Sequence, residues 1–445
     1  MILIPFLLLA IYLYIRGYKV SALVIFFFFI TSGFNFIPEE YTDLGIGISK
    51  GSDFALLTLF AIVGLDAFLT QKYLKVDTLV KYILVFYAFL VVCIIYNKFV
   101  LGLSWNEIIR TVRYQFFWLT YLVFRNLEVV QLRKLLKTLY IVTVSCSFLF
   151  ILQIVFDDFI LVKTMKSSAT FMGIKFPRFY NHPDMIYFFT FMSIYCNPLK
   201  GKLKMISAMI FTLALLGAFH RSLIGFFFLS VLIGWILTLP KLRRMQIFVV
   251  GTFLTVFVAV FVGNQLSKSR TFADLQKVLA GDFAEMNIDM SDLSESTFTF
   301  RMAHLFERNQ YLIENPKAMF FGGGLVTEDS KNIDKMFDFK VGLVQELTGT
   351  TTQVDTGDIS YSVLLLRFGY LGTMLNLALF IFLMYYFYKN RDHEYAKFSF
   401  LYFVLIFGTS FFSPNLSLPI SFLLPIISYC IVRKEKSEVK SEELI

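Results

Sequence analysis

The chain has 445 residues, of which 57% are hydrophobic and 16% charged, and its mean hydropathy of +0.68 excludes an ordinary soluble globular domain. Its net charge of +9 points to a polyanionic partner only until the positions are read. The basic residues fill short connections between apolar runs, which excludes a nucleic-acid face and indicates a polytopic, all-α integral membrane protein.

Runs that serve as spans of a hydrocarbon core about 30 Å thick fall at roughly 2–15, 20–36, 54–70, 79–97, 111–124, 136–156, 184–197, 203–219, 222–239, 246–263, 359–388, 397–412 and 415–432, giving about twelve to thirteen transmembrane helices. The first has neither a basic start nor a small-residue cleavage site, so it reads as a retained span. Every second connection is basic: Arg16 and Lys19; Lys72, Lys75 and Lys81; Arg125, Arg133, Lys134 and Lys137; Lys200, Lys202 and Lys204; Lys241, Arg243 and Arg244; Lys389, Arg391 and Lys397; and the tail from Arg433. The positive-inside rule puts these in the cytoplasm, with the C-terminus inside and the N-terminus outside. Residues 1–263 are then N-terminal spans, 264–358 one large extracytoplasmic loop, 359–432 C-terminal spans, and 433–445 a solvated cytoplasmic tail.

The four cysteines, Cys93, Cys146, Cys196 and Cys430, lie within or at the ends of apolar runs without a CxxC or a His at ligand spacing, so neither a zinc site nor a disulfide framework is expected. With no Walker A or Rossmann glycine pattern either, the expectation is no metal and no cofactor. From Lys268 to Asp358, nine Lys or Arg stand against fifteen Asp or Glu, so the loop is acidic. A helix is predicted from Ser294 to Asn315, stopped by Pro316. Met302, Leu305, Phe306, Leu312 and Ile313 fit one face; Arg301, His304 and Arg308 fit another, the one expected to meet an anion.

Charge on this side or within spans needs a partner, a watery cavity or a ligand. Arg178 lies in Phe176-Pro177-Arg178-Phe179-Tyr180-Asn181-His182-Pro183, just before a span. Arg221 stands in the tight hairpin His220-Arg221-Ser222, Arg301 on the loop helix, and Arg110 with Arg113 near Trp105 at the start of another span. A guanidinium suits a diphosphate because its planar fork gives two parallel charge-assisted hydrogen bonds. Arg178, Arg221, Arg301 and Arg113 are the expected diphosphate ligands, and each also fits an interfacial snorkeller or an ion pair.

Asp358, where the chain re-enters lipid, is the candidate base, and it fits a helix N-cap equally well; Asp355 is the fallback. His182, His304, His220 and Tyr180 are expected as accessory hydrogen-bonding neighbours. Gly322-Gly323-Gly324 permits a backbone nest for an anion or a plain turn. Arg367, nine residues past Asp358, must face a cavity or pair with an acid.

In order and spacing, Arg178 with Asn181-His182-Pro183, His220-Arg221-Ser222, Arg301 before Asn315-Pro316 and Phe321-Gly322-Gly323-Gly324, and Asp358 before Gly369-Tyr370-Leu371-Gly372 resemble the O-antigen polymerase and O-antigen ligase superfamily of bacterial membrane glycosyltransferases. The resemblance covers about Phe176 to Leu375 and implies a GT-C-like fold in the bacterial cytoplasmic membrane. It also implies an inverting, metal-independent transfer of a glycan from undecaprenyl diphosphate, the arginines holding the diphosphate and the loop-end residue near the acceptor. Implied partners are undecaprenyl-diphosphate-linked donor and acceptor glycans, a chain-length regulator and a flippase. Ligases of the family carry histidine at the position of Asp358, which favours the polymerase; Arg367 stands where an acid is common. The rival readings are a ligase acting on lipid A core or protein, a flippase or transporter of lipid-linked sugars, and a membrane scaffold.

Overall fold

The computed structural model describes residues 3–42, 50–70, 76–171, 174–240, 243, 293–330, 333–342, 351–354 and 359–442. Without water, an apolar segment must satisfy its own amides and carbonyls, so these runs wind into helices. In chain order they are α1 (Ile4–Ile15), α2 (Lys19–Ile30), α3 (Gly51–Thr70), α4 (Thr78–Phe99), α5 (Trp105–Val112), α6 (Thr120–Phe124) and α7 (Val129–Phe156). After the hairpin β1 (Lys166–Phe171) and β2 (Ile174–Phe179) come α8 (Ile186–Tyr195), α9 (Lys202–Gly217), α10 (Arg221–Thr238), α11 (Leu293–Glu314), α12 (Pro316–Phe321), α13 (Ile333–Met336), α14 (Ser360–Lys389), α15 (Glu394–Thr409) and α16 (Ile420–Glu442).

Among the described residues four helices, α3, α4, α7 and α14, are long and apolar enough to cross a membrane, and α1, α2, α8 and α10 are shorter apolar helices. The expected span 246–263 lies outside the described residues. The expected span 111–124 is not one helix: α5 runs into a tight 3-10 segment, Arg113–Leu119, before α6. The polar side chains in this run are held by different helices, Arg113 by Asp53 of α3 and Gln115 by Asn376 of α14. A straight apolar helix has no use for either contact.

The centre of the bundle is α16, whose Leu423, Leu424, Ile426, Ile427, Cys430, Ile431 and Val432 are all buried. Burial around the whole circumference marks a core helix rather than one facing lipid. Trp118 stacks on Phe422 of this helix with centroids 4.1 Å apart and meets Phe380 of α14 edge-on at 5.2 Å. Helix α1 lies at the periphery, with Leu8 63% exposed, as a lipid-facing helix would.

The Gly322–Gly324 turn and the Gly369/Gly372 pair meet each other. Gly369 (φ 64°) breaks α14 and Gly322 (φ 83°) ends α12. A Cβ on Gly322 would lie 2.1 Å from the Arg367 carbonyl oxygen, and one on Gly369 2.6 Å from that of Met319. The Gly322 and Gly323 amides donate to the carbonyls of Ala318 and Leu366. The triple glycine is therefore a backbone-to-backbone contact, and the Gly322 and Gly323 amides, which an anion nest would use, are occupied. A second departure from an all-helical chain is the antiparallel hairpin, which sets Lys166 opposite Phe179 and Ser167 opposite Arg178.

Candidate functional site

Alternation along β2 puts Phe176 and Arg178 on one face and Phe179 on the other. Phe179 is buried and packs on Phe159 at 5.1 Å, whereas Phe176 stacks on Phe219 at 5.3 Å. Phe219 (φ 48°) forms the turn between α9 and α10, and His220 stands at the N-cap position of α10. The strand face that carries Arg178 is thereby turned toward this hairpin. The Arg178 guanidinium lies over the ring of Tyr180, 4.6 Å from its centre. Its Nε is buried without a hydrogen-bond partner among the described residues.

His182 follows in a fixed loop. Asn181 is buried, exchanges hydrogen bonds with Gln153 of α7 and donates to the Val162 carbonyl at 2.7 Å. The ring of His182 meets the Tyr187 hydroxyl at 2.5 Å, and the His220 ring meets the Ser222 hydroxyl at 3.0 Å. Burial, with the charges of Arg178 and Arg301, pulls His220 down to about 4. Burial, His220 and Arg178 do the same to His182. Both imidazoles are therefore neutral near pH 7, and the positive charge acting on this turn comes from Arg178 and Arg301. Arg178 of β2 and Arg301 of α11, 123 positions apart in the sequence numbering, both act on the His220 turn.

Arg301 is located from the other side. Its guanidinium lies 5.3 Å from the ring centre of Phe412, in the α15–α16 connection, and Phe412 also meets Phe226 of α10. One residue on, the Ser413 carbonyl accepts from the Ser360 hydroxyl at 2.9 Å, and the Ser360 amide donates to Ser410 at 3.1 Å. The chain thus enters α14 against the same connection whose Phe412 meets Arg301. Asp355 and Asp358 lie outside the described residues. Arg221 opens α10 directly after His220.

Two sequence expectations change. Arg113, expected with the diphosphate ligands, instead forms a buried two-pronged ion pair with Asp53 at 2.7 and 2.9 Å. The face of α11 expected to meet an anion is turned inward beyond Arg301: His304, Glu307 and Arg308 are buried, while Ile313, expected on the packed face, is 60% exposed. His304 bonds the Ser362 hydroxyl of α14 at 2.6 Å. Arg308 bonds Glu307 and the backbone carbonyls of Val341 and Gln353, with its guanidinium 4.2 Å from the centre of Phe339. The inward turn has a clear cause, because irregular backbone needs donors and acceptors that secondary structure does not supply. Glu307 accepts from the amides of Lys340 and Val341 while Arg308 serves the carbonyls.

Other charges hold the insertion to the bundle. Arg110 pairs with Asp329 at 3.3 Å, Asn97 accepts from the Leu325 amide at 2.7 Å, and Arg367 donates to the Val326 carbonyl at 3.1 Å. Asp184, not singled out in the sequence, lies on the connection from β2 to α8. Its side chain is exposed at its surface, while desolvation by the protein packed around it lifts its carboxyl to about 6. Its only mark in the sequence is its position beside His182-Pro183. Comparison of the chain with family models, with curated proteins and with solved structures finds no match.

Proposed function

We propose that the protein is a membrane glycosyltransferase that joins undecaprenyl-diphosphate-linked oligosaccharide repeats into a polysaccharide on the outer side of a bacterial cytoplasmic membrane. The observation that carries this reading is the approach of Arg178 and Arg301, from distant segments, to the hairpin that Arg221 continues. Guanidinium groups gathered at the end of an apolar bundle suit a lipid diphosphate, whose tail lies among helices and whose charge does not.

In this reading a sugar hydroxyl of one lipid-linked repeat attacks the anomeric carbon of a second. The bond from that carbon to the diphosphate oxygen breaks, configuration inverts, and the lipid diphosphate leaves with its charge neutralised by Arg178, Arg221 and Arg301. The hydroxyl proton passes to a carboxylate. Asp358 is the first candidate, since the chain two residues later is anchored on the Phe412 connection through Ser360. Asp184 is the second, its raised affinity for a proton suiting a base near neutral pH.

The test is chain extension by purified protein supplied with undecaprenyl-diphosphate-linked repeats. Loss of polymer in Arg221→Ala, and in one of Asp358→Asn or Asp184→Asn, is expected. Unimpaired extension in all three removes these assignments. Transfer to lipid A core, with no extension of the lipid-linked repeat, assigns the chain to the ligase reading instead.

A further inference from the structure

On the side that the positive-inside pattern places outside the cytoplasm, exposure rises along one face of the β1–β2 hairpin. Ser167, an exposed residue, stands directly opposite Arg178 in the pairing, so the two share a face. The Tyr180 amide carries the pairing one step further, to the Met165 carbonyl at 3.4 Å. The Arg178 guanidinium lies 4.6 Å from the centre of the Tyr180 ring, its Nε buried and without a hydrogen-bond partner among the described residues. Tyr180, with one ring face under this cation, is still 43% exposed. Its hydroxyl meets that of Ser167 at 3.3 Å. Only one of the two hydroxyl hydrogens serves that bond, so the pair keeps one donor and unused lone pairs for a ligand. Lys166, on the opposite face of β1, is engaged elsewhere, by Asp157 at 2.9 Å and over the Phe179 ring.

We infer that Tyr180 and Ser167 form the subsite for the sugar residue joined directly to the lipid diphosphate, and so help set which lipid-linked glycan the protein accepts. The inference rests on the reading of Arg178 as a diphosphate ligand and adds the next group along the substrate. With the lipid tail among the helices and the diphosphate at Arg178, the sugar lies on the side away from the bundle, where Tyr180 and Ser167 stand. A pyranose ring carries both surfaces that this pair can meet. Its face of C–H bonds suits the aromatic ring, and its edge of hydroxyls, each a donor and an acceptor, suits the Tyr180 and Ser167 hydroxyls. A few placed polar groups beside an apolar contact fix orientation, which arginines gripping a diphosphate do not do for the sugar.

The experiment is equilibrium binding of undecaprenyl diphosphate, bare or carrying a single glucose, galactose or N-acetylglucosamine, to the purified full chain and to Tyr180→Phe, Tyr180→Ala and Ser167→Ala. Ser168→Ala, exposed on the other face of β1, is the control. The quantity read is the gain, the affinity with a sugar divided by the affinity without it. At least one sugar is expected to give a gain of about tenfold or more in the wild type, as hydrogen bonds and an aromatic contact together would. Tyr180→Phe and Ser167→Ala should each cut that gain about threefold, the effect of one neutral hydrogen bond. Tyr180→Ala should remove most of it, and Ser168→Ala should leave it unchanged. Bare undecaprenyl diphosphate corrects each variant for any change at Arg178, so a merely structural role for Tyr180 lowers both affinities alike and leaves the gain intact. No gain from any of these sugars, or a gain that Tyr180→Ala and Ser167→Ala leave intact, overturns the inference while the diphosphate site stands. No binding of bare undecaprenyl diphosphate removes the glycan reading and the subsite together.

Discussion

Replacing Arg308 by methionine tests how the insertion is held. The side chain is fully buried and bonds Glu307 at 2.7 Å, the Gln353 carbonyl at 3.1 Å and the Val341 carbonyl. Methionine refills much of the volume and none of the hydrogen bonds. It leaves two buried carbonyls without a donor, at about 1–3 kcal/mol each, and a buried carboxylate without its cation. Breaking one member of a buried ion pair costs about 3–5 kcal/mol, so a local loss of at least ~3 kcal/mol is expected. Because Arg308 and Glu307, among the described residues, join α11 to residues 339–341 and 352–353, the loss should appear as local opening and not as a fall of the whole bundle. Limited trypsin digestion reads it through cleavage after Lys340, which should accelerate by about a hundredfold while opening remains fast relative to cleavage. Arg308→Lys, which keeps the charge but loses the fork, should fall between. A cleavage rate within threefold of the wild type for Arg308→Met refutes the assignment of Arg308 as the clamp of the insertion.

Three further predictions concern separate parts of the molecule. Asp53→Asn should lower stability by about 3–5 kcal/mol by stranding Arg113 in the bundle, while the activity of each folded molecule is kept; selective loss of activity at normal stability would return Arg113 to the site. Gly369→Ala forces a Cβ toward the Met319 carbonyl at a positive φ, so it should destabilise by a few kcal/mol, about 1–3 from backbone strain alone, measured by thermal unfolding in detergent; wild-type stability would mean that α12 and α14 do not pack this way. His182 and His220 bind protons less tightly folded than unfolded, so unfolding takes up protons and stability falls as pH drops from about 6.5 to about 4. Asp184, shifted from 3.8 to about 6, binds its proton more tightly when folded and opposes that loss over the lower part of the range. A His182→Asn/His220→Asn variant should therefore show a shallower fall in midpoint between pH 6.5 and 5, and Asp184→Asn a steeper one; unchanged slopes in both would contradict the desolvation of these groups.

Hydropathy made most of the helices legible, because each apolar run must satisfy its own backbone: the run 79–97 is α4, and 359–388 is α14 almost to the residue. The loop helix was legible too, from its serine-rich start and its stop at Asn315-Pro316. What the sequence could not supply were partners. Arg113 looked like a ligand because Asp53, 60 positions away, is invisible to local pattern. The polar face of α11 looked like an anion-binding face because Arg301, His304 and Arg308 share it, yet Glu307 and Arg308 are buried to serve irregular backbone that has no periodicity to read. The hairpin at 166–179 escaped notice because only its pairing defines it. Arg178 and Arg301 were marked by charge in apolar surroundings, but their nearness to one turn depends on β2, α10 and α11 meeting.

The central claim is that guanidinium groups from separate segments grip one lipid diphosphate. Its most direct test is equilibrium binding of undecaprenyl diphosphate to the purified protein and to the Arg178→Gln/Arg301→Gln variant, with unfolding midpoints measured alongside. Two charge-assisted contacts are worth about 1.5–3 kcal/mol each, so the variant should bind at least about a hundredfold more weakly while remaining folded. Equal affinity in the two proteins would contradict the claim.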